Sequence, residues 1–518
     1  MKHYYTNTNQ YDSGGIGEQH PRLAFSYVQE IQQMSKDFEL NADQKTAIDA
    51  IKQFMKDPEQ DAFILCGSAG TGKTTLVAKI IELLRGMGLG CMMVAPTGRA
   101  ARILQSKLNK MLPVDMGPLL VSTLHGAIYY LAEMSLDETR AEYGQSALQM
   151  HFPIKKQGDS FDLVIVDEAS MVGDMKIPQN TMRFGSGRLL SDLVYFLNRV
   201  QENNPGQRPI KLMFVGDLAQ LSPVGSENSP ALSPEYLQKR FNMNVQRYEL
   251  TMVMRQAAKS GILDLANSIR KEIFEPTGNA INIESNNNDI LVADQIDAVS
   301  IIVSNINMLQ SSAAVVYSNE KALKYNVAVR HRLWGNGWRA VKSGDQLLVT
   351  RNSAKLGVSN GDIIMLKSAA LKPIIKVVVL SDGTEVELKF RLVVFQTDMI
   401  LGQGIECLIL ENLLFAKNRD LSDDEQTAMV RYFHQRYPYQ DPDSDEYHQL
   451  MMEDPYYNAL QVKFGYALTC HKAQGGEWDQ VIIDISGVRM CEDTGLRWLY
   501  TAVTRAAQSL CVVEGGRA

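Results

Sequence analysis

The sequence predicts an α/β fold built around parallel sheets, and three observations lead to this prediction. Short apolar segments alternate with helical patterns from about Leu40 onward, which is typical of strands joined by crossover helices. A glycine-rich loop stands between one such strand and a helix near residue 70. The alternation returns near residue 261 and resumes at Gly465, which indicates a second α/β unit that is split by an insertion.

The glycine-rich loop fits the pattern G-x-x-x-x-G-K-[ST] at every fixed position. Glycines let the backbone wrap a phosphate closely, so that amide groups and the following helix N-terminus point at it. Lys73 adds a cation for the outer phosphates, and Thr74 offers a hydroxyl to Mg²⁺. With a strand before it and a helix after it, the loop predicts nucleotide binding. The predicted contacts are Gly67, Ser68, Ala69, Gly70, Thr71, Gly72, Lys73, Thr74 and Thr75.

Two further apolar segments end in residues that suit phosphate chemistry. Asp167 and Glu168 follow the segment 163–166, where the first is placed to hold Mg²⁺ and the second to polarise an attacking water. Gln220 follows the segment 212–215 and can hydrogen-bond the γ-phosphate or that water. Each residue alone also fits an ordinary solvated strand end or turn. After a phosphate loop in the same sheet, the set predicts ATP hydrolysis.

Bulk properties exclude several classes of protein. A chain of 518 residues suggests three or four structural units. No apolar run is long enough to span a bilayer, and the first residues lack the apolar core of a signal peptide, so we expect a cytoplasmic protein with no membrane partner. The six cysteines form no C-x-x-C pair and the histidines do not cluster, so no metal is expected beyond nucleotide-bound Mg²⁺. The net charge of −7 gives no global sign of nucleic-acid binding, although a local basic groove can coexist with it.

The loop and the two strand ends resemble motifs I, II and III of superfamily 1 helicases, and the remaining motifs follow in order. The form H-K-A-Q-G at 471–475 and the module that begins G-D-Q-L-L-V-T-R-N at 344 resemble the RecD-like and Dda-like branch, superfamily 1B. The resemblance covers residues about 40 to 510. The other matching segments are 40–44 (Q motif), 95–101 (Ia), 122–126 (Ib), 250–256 (IV), 466–477 (V) and 499–506 (VI).

The resemblance implies two RecA-like P-loop NTPase lobes, with a small 1B insert in the first and an SH3-like β insert plus a helical excursion in the second. The implied divisions are a lead-in at 1–39, lobe 1A at 40–120 and 161–260, a 1B pin insert at 121–160, lobe 2A at 261–343 and 464–518, and a 2B insert at 344–463 with its helical excursion at about 415–460.

The resemblance also implies an activity: an ATP-dependent 5′-to-3′ DNA helicase that uses ATP and Mg²⁺, moves on single-stranded DNA and unwinds tailed duplexes. Gln44 would read the adenine, Glu477 would touch the ribose, and Arg255 and Arg505 would be arginine fingers. A role in DNA replication, recombination or repair, with a single-strand-binding, replication or recombination protein as partner, is the expectation for such a family. Two alternatives stay open: an RNA-directed superfamily 1B helicase, and a nucleotide-switched DNA-binding or recruitment ATPase that does not unwind.

The resemblance further implies where a nucleic-acid strand lies, across the loops of motifs Ia, Ib and V. Small hydroxyls and amide groups suit phosphate contacts that do not read sequence. The candidate contacts are Thr97, Thr123, His125, Asn319, Thr469, His471 and Lys472. A duplex-splitting pin needs an aromatic or apolar tip, and the candidates, each of which equally fits a core position, are Tyr129, Tyr130, Tyr143 and Phe152.

Overall fold

A computed structural model defines the fold for most of the chain. The predictions for the lead-in at 1–39, for Arg255 and for Tyr143 lie outside the described residues. The described residues are 40–113, 117, 119–130, 133–136, 148–158, 161–176, 182–253, 260–278, 281–286, 288–353, 355–396, 404–418, 420–441 and 444–514.

The first half of the chain alternates strands and helices. Its strands are β1 (Ala62–Gly67), β2 (Cys91–Ala95), β3 (Val121–Thr123), β4 (Glu133–Leu136), β5 (Leu148–Phe152), β6 (Leu163–Val166), β7 (Met182–Phe184), β8 (Lys211–Gly216) and β9 (Val245–Leu250). Its helices are α1 (Ala42–Lys56), α2 (Lys73–Gly86), α3 (Gly98–Met111), α4 (Leu124–Ile128), α5 (Leu189–Asn203), α6 (Pro234–Phe241) and α7 (Gly261–Phe274).

The second half adds a β-rich module between further α/β segments. Its strands are β10 (Ile290–Ala293), β11 (Ser312–Val316), β12 (Gln346–Val349), β13 (Ile363–Ala369), β14 (Ile374–Val379), β15 (Glu385–Gln396), β16 (Ile405–Leu410), β17 (Leu460–Phe464), β18 (Ala467–Thr469), β19 (Trp478–Asp484) and β20 (Ala506–Val513). Its helices are α8 (Gln295–Asn307), α9 (Asn319–Trp334), α10 (Asp423–Arg436), α11 (Asp445–Glu453), α12 (Cys470–Ala473) and α13 (Asp493–Val503).

The first sheet has six parallel strands in the order β3-β2-β6-β8-β1-β9. Both of its faces are buried, because alternate residues of one strand enter different core clusters: Phe63 and Leu65 pack on one side, and Ile64 on the other. This explains why the strands read as continuous apolar runs. The segments 163–166 and 212–215 and the strand before the phosphate loop are present as β6, β8 and β1, so the prediction of a parallel α/β sheet is confirmed here.

The second sheet has five parallel strands in the order β10-β20-β19-β11-β18. Helices α7 and α13 pack together on one face, with Ile269 and Leu499 in the same buried cluster. The first and last segments of this sheet are separated by the β-rich module, as the returning alternation in the sequence predicts. We call the first sheet with the helices packed on it the first lobe, and the second sheet with its helices the second lobe.

The β-rich module, residues 344–464, joins β12 to β17 in one sheet that closes on itself. Its order is β13-β12-β17-β16-β15-β14, and β13 also pairs with β15, which brings five of the strands into a ring. All its pairs are antiparallel except β16 with β17, because a helical excursion with α10 and α11 separates those two strands. Leu347 and Phe464 extend the module's core into one face of the second lobe.

The segment predicted as an insert in the first lobe contains the short helix α4 and the antiparallel pair β4–β5. Strand β7, which follows much later in the chain, joins β5 in parallel. The insert is therefore built from two separated segments, which the sequence analysis did not anticipate. None of the helices within the described ranges is both long and apolar enough to cross a membrane.

Candidate active site and nucleic-acid groove

The phosphate loop joins β1 to α2. Gly70 and Gly72 have positive φ angles of 80° and 78°, a conformation that side chains disfavour, so the loop's backbone requires glycine at these two positions. The Lys73 ammonium donates to the carbonyl oxygens of Gly67 at 2.6 Å and Ser68 at 3.0 Å. The lysine is thus held against the mouth of the loop, where a phosphate would meet it.

Gln44 lies beside the phosphate loop and braces it. Its side chain is buried and forms a capping box with Asn41 at the start of α1. Its amide nitrogen donates to the carbonyl oxygen of Thr71 at 3.2 Å. The structure therefore places Gln44 at the nucleotide site, in contact with the loop; the reading of adenine stays a prediction.

The two carboxylates predicted for hydrolysis follow β6. Glu168 has φ = 47°, a left-handed conformation that costs energy in a residue with a side chain and that clusters at functional sites. Desolvation, and then the neighbouring Glu168 carboxylate, raise the pKa of Asp167 to about 7. Because burial and the Glu168 carboxylate both disfavour the negative charge of Asp167, a cation bound beside these two carboxylates would be stabilising.

Gln220 connects the catalytic candidates of the two lobes. With its amide oriented to satisfy both neighbours, its nitrogen donates to Glu168 Oε2 at 3.1 Å and its oxygen accepts from Arg505 Nη2 at 3.2 Å. Arg505 is itself buried and also donates to the carbonyl oxygens of Thr501 at 3.1 Å and Gly476 at 3.3 Å. Three residues that the sequence predicts for ATP hydrolysis therefore form one chain of hydrogen bonds across the lobes.

The loop after β8, residues 217–221, is the main polar contact between the lobes near this site. Thr501 on α13 accepts from the Leu221 amide at 2.9 Å, and Gln474 donates to the Leu221 carbonyl oxygen at 3.3 Å. Arg497 donates to the carbonyl oxygen of Leu218. The loop that carries Gln220 is thus fixed from the second lobe at both of its ends.

Sequence reasoning missed two residues at this contact, Tyr500 and Arg270. Tyr500 donates to Asp217 at 2.6 Å, and Arg270 forms an ion pair with the other oxygen of Asp217 at 2.6 Å. Tyr500 and Asp217 lie inside segments that match helicase motifs. Their positions in these motifs could have marked both as site residues. Arg270 lies in the middle of α7, where nothing in the local sequence distinguishes it.

Glu477, predicted to touch the ribose, forms an ion pair with Lys107 on α3 of the first lobe. Both side chains are nearly half exposed, so the pair contributes little to stability. The structure brings Glu477 to the boundary between the lobes, and its contact with a ribose stays a prediction.

The residues predicted to hold Mg²⁺ fit that ion. Thr74 and Asp167 offer a hydroxyl and a carboxylate, which are hard oxygen donors. Across the described ranges, no group of three or more His, Cys, Asp or Glu residues is arranged to hold a metal by itself. A small protein ligand set suits Mg²⁺, which is usually bound by one or two protein oxygens together with substrate phosphates.

One groove of about 1080 Å³ passes between the two lobes and the β-rich module. All of the residues predicted to contact a nucleic-acid strand line it: Thr97, Thr123, His125, Asn319, Thr469, His471 and Lys472. They come from segments more than 350 residues apart in sequence, so their convergence is a property of the fold.

Two hydroxyls in the groove also shape its walls. Thr97 caps α3 by accepting from the Ala100 amide at 3.2 Å, and Thr123 caps α4 by accepting from the Gly126 amide at 3.0 Å. These threonines therefore present two helix N-termini along the groove, and helix N-termini suit phosphate groups.

His125 is a neutral groove residue. Burial lowers the pKa of His125 to about 4, so its ring carries no charge at neutral pH. The ring meets Phe184 edge-on at 5.0 Å between centroids, and Phe184 stacks on Phe152 at 4.4 Å. Any contact that His125 makes with a nucleic-acid strand is therefore a hydrogen bond or a ring contact, not an ion pair.

Two aromatic residues that sequence reasoning missed also line the groove. Phe184 lies on the first-lobe side, and Tyr317 follows β11 on the second-lobe side. Tyr317 is 55% exposed, and its ring lies 6.2 Å from that of Trp498. An exposed aromatic ring in a polar groove is suited to stacking on a base.

The β-rich module reaches across the groove to α3 of the first lobe. Arg102 pairs with Asp362 and donates to the carbonyl oxygen of Gly357 at 3.0 Å. Arg99 donates to the carbonyl oxygen of Gly361 at 3.4 Å, and its guanidinium lies 4.1 Å from the Trp478 ring centroid. The groove is therefore bounded by both lobes and bridged by the module.

Of the pin candidates, Tyr129 is buried in the core of the first lobe, and Phe152 is half-buried against that core. Tyr129 is 5% exposed and donates to Asp192 at 2.7 Å, and Phe152 stacks on Phe184. Tyr130 is 42% exposed. Among the three candidates that the structure describes, Tyr130 is the most exposed.

Comparisons with known proteins agree with the motif order. The family model described as an AAA domain matches residues 49–226, and the model described as a UvrD-like helicase C-terminal domain matches residues 464–513. The ATP-dependent RecD2 DNA helicase of Deinococcus radiodurans is 27% identical over 206 residues, which are 40% of this chain. The ATP-dependent DNA helicase dda of Enterobacteria phage T4 is 26% identical over 302 residues, which are 57% of this chain and 58% of that protein. By its motifs and by these matches, the chain is similar to the superfamily 1B helicases.

Other similarities are at lower sequence identity. An uncharacterized protein of Methanocaldococcus jannaschii is 24% identical over 477 residues. The chain spans 36% of the length of that protein and 21% of the length of the Deinococcus helicase. A crystal structure of Pif1 helicase from Bacteroides, in complex with ADP-AlF3 and single-stranded DNA, is 16% identical, with a TM-score of 0.40 over 93% of this chain and 94% of that one.

Proposed function

We propose that this protein is an ATP-dependent 5′-to-3′ DNA helicase that couples ATP hydrolysis to movement on single-stranded DNA. The observation that carries the proposal is the convergence of all seven predicted strand contacts on one groove between the lobes. The hydrolytic candidates Glu168, Gln220 and Arg505 meet at the boundary of the same two lobes. The direction of movement rests on the resemblance to superfamily 1B.

Hydrolysis divides among residues of both lobes. The phosphate loop and Lys73 bind the phosphates of ATP, while Thr74 and Asp167 are the residues that would hold Mg²⁺, which neutralises phosphate charge when bound. Glu168 accepts a proton from the attacking water. Arg505, from the second lobe, stabilises the charge that develops on the transferred phosphoryl group.

Coupling follows from the position of Arg505. The arginine belongs to the second lobe, and its contact with Gln220 exists only while the lobes are together. A nucleic-acid strand across both lobes would meet Gln474, which lines the groove and also holds Leu221 in the loop that carries Gln220. Changes in the distance between the lobes then move the two halves of the strand path relative to each other.

We assign the lobes and inserts as the family resemblance implies. The first sheet with its helices, including β3 at 121–123, is lobe 1A, and the second is lobe 2A. The rest of the segment 121–160, together with β7, is the 1B pin insert, and the module within 344–463 is the SH3-like 2B insert. Tyr130 is our choice for the pin tip, since Tyr129 is buried in the core of the first lobe and Phe152 packs against that core and Phe184.

Strand separation on duplexes with a 5′ or a 3′ single-stranded tail tests the proposal. We expect ATP-dependent unwinding from the 5′ tail only. Unwinding from the 3′ tail only would contradict the proposed direction. Stimulation of ATP hydrolysis by RNA but not by DNA homopolymers would instead support an RNA-directed enzyme, and hydrolysis without unwinding or movement would support a nucleotide-switched recruitment ATPase.

Replacing Lys472 with alanine should weaken binding of single-stranded DNA and reduce its dependence on salt. Each lysine–phosphate contact releases condensed counterions, so log affinity falls as log salt rises. Losing one contact should make this slope less steep by about 0.7. Fluorescence anisotropy with a labelled oligothymidylate at several salt concentrations measures both quantities. Lys239→Ala is the control, because Lys239 is exposed and does not line the groove. An equal slope in the wild type and in Lys472→Ala would contradict the assigned contact.

Replacing Tyr317 with alanine should also weaken binding, but without changing the salt dependence. Stacking of a base on an aromatic ring contributes about 1–3 kcal/mol, which corresponds to roughly 5- to 150-fold in affinity. Tyr317→Phe should keep most of this affinity because the ring remains. Tyr439→Ala, at a residue that is 98% exposed in the helical excursion, is the matched control. If Tyr317→Ala binds as tightly as the control, the stacking assignment is wrong.

A further inference from the structure

The Tyr500 hydroxyl lies between the phosphate loop and the loop after β8. It accepts from the Ala69 amide at 3.3 Å and donates to Asp217 Oδ2 at 2.6 Å. Tyr500 is fully buried and Asp217 is 1% exposed. Burial, and then the Asp217 carboxylate, raise the pKa of Tyr500 far above its usual value, so the phenol stays neutral and keeps the proton that it donates.

A second residue of the second lobe, Arg270, holds the same Asp217 carboxylate. The other oxygen of Asp217 accepts from Arg270 at 2.6 Å, and Arg270 also donates to Glu249 at 2.6 Å. The Ala219 amide donates to the same oxygen of Asp217 at 3.0 Å. Arg270 on α7 and Tyr500 on α13 therefore hold both oxygens of one first-lobe carboxylate.

This arrangement connects two parts of the active site that lie far apart in sequence. Ala69 belongs to the phosphate loop, whose amide groups point toward bound phosphate. Asp217 lies three residues before Gln220, and Gln220 contacts Glu168. One hydroxyl from the second lobe therefore contacts both the loop that binds the phosphates and the loop that carries Gln220.

We propose that Tyr500 is a positioning residue that links nucleotide binding in the phosphate loop to the placement of Gln220, and thereby to the stimulation of hydrolysis by a bound strand. The inference rests on the proposed ATPase. A phosphate that enters the loop competes with the Tyr500 hydroxyl for the Ala69 amide. The hydroxyl then keeps only its hydrogen bond to Asp217. The loop at 217–221 is then attached to α13 and is no longer connected through Tyr500 to the phosphate loop.

Tyr500→Phe tests this inference, because it removes both hydrogen bonds and keeps the ring. We expect the ratio of ATP hydrolysis with saturating oligothymidylate to hydrolysis without it to fall by at least about fivefold. We expect the fall to come mainly from kcat in the presence of DNA, with a smaller change in KM for ATP. Steady-state hydrolysis assays over a range of ATP concentrations give both quantities.

Tyr325→Phe is the matched control. Tyr325 is also fully buried, and its hydroxyl also donates to a carboxylate, that of Asp484 at 3.0 Å, within the second lobe. Thermal unfolding of both variants measures the structural cost of removing a buried hydroxyl. A stimulation ratio in Tyr500→Phe equal to that in Tyr325→Phe would overturn the inference.

A second variant keeps the test independent of the folding of Tyr500→Phe. Asp217→Asn keeps the size of the side chain but weakens its acceptance from Tyr500 and Arg270, so it should lower the same ratio. In the double variant the two effects should be smaller than their sum, because both act on one hydrogen bond. Fully additive effects would contradict the link. A wild type without any DNA stimulation would refute the proposed function itself, whereas a stimulated wild type with an unchanged ratio in Tyr500→Phe refutes only this inference.

Discussion

Replacing Arg505 with alanine should lower ATP hydrolysis by about a thousandfold while leaving ATP binding largely intact. An arginine that stabilises the charge on a transferred phosphoryl group contributes on the order of 10³–10⁵ to kcat. Arg505 is buried at the boundary of the lobes and contacts Gln220, which in turn contacts the candidate general base, Glu168. ATP binding depends chiefly on the phosphate loop of the other lobe, so affinity for a fluorescent ATP analogue should change little.

Two further variants separate chemistry from folding. Arg505→Lys keeps the charge but loses the planar group that reaches Gly476, Thr501 and Gln220, so its hydrolysis should fall between those of alanine and the wild type. Arg489→Ala, at an arginine of the same lobe whose side chain is 78% exposed, should hydrolyse ATP at the wild-type rate. Hydrolysis by a folded Arg505→Ala protein within a few-fold of that control would refute the role of this arginine.

Replacing Glu168 with glutamine should lower kcat by about 10²–10⁴, the usual contribution of a general base. Glutamine has nearly the same shape but accepts a proton from water poorly. The strained backbone at Glu168, with φ = 47°, is the same in both proteins, so a rate difference reports on the carboxylate. A single-turnover assay with radiolabelled ATP separates the chemical step from product release.

Glu492→Gln is the control for this substitution, because Glu492 is a half-exposed carboxylate at the start of α13. The Glu168→Gln protein should still bind ATP and should bind single-stranded DNA as the wild type does. Wild-type single-turnover rates in Glu168→Gln would mean that another residue activates the water.

The parts of the site that lie within one local pattern could be predicted from the sequence. The phosphate loop needs Gly70 and Gly72 for its positive φ angles, and each requirement is visible in a few consecutive residues. The carboxylates after β6 and the glutamine after β8 follow buried strands of one parallel sheet, so their carboxyl ends meet at one edge. The alternation of short apolar segments and helical patterns was enough to predict parallel α/β sheets.

The remaining parts depend on which distant segments the fold brings together. Arg270 lies in an ordinary amphipathic helix, and its pairing with Asp217 arises only because α7 packs beside α13. Tyr317 and Phe184 become groove residues because strands from different segments end beside the same groove. Strand β7 joins the insert from a later part of the chain, which no local pattern marks. Such contacts carry no signal in a single sequence.

Steady-state ATP hydrolysis, titrated with single-stranded DNA, tests the central claim most directly. That claim is that a strand in the groove acts on the hydrolytic residues at the boundary of the lobes. We predict that kcat rises on the order of tenfold or more and saturates with DNA concentration. Hydrolysis that stays at the DNA-free rate at every DNA concentration, in a protein shown by anisotropy to bind the strand, would contradict the account.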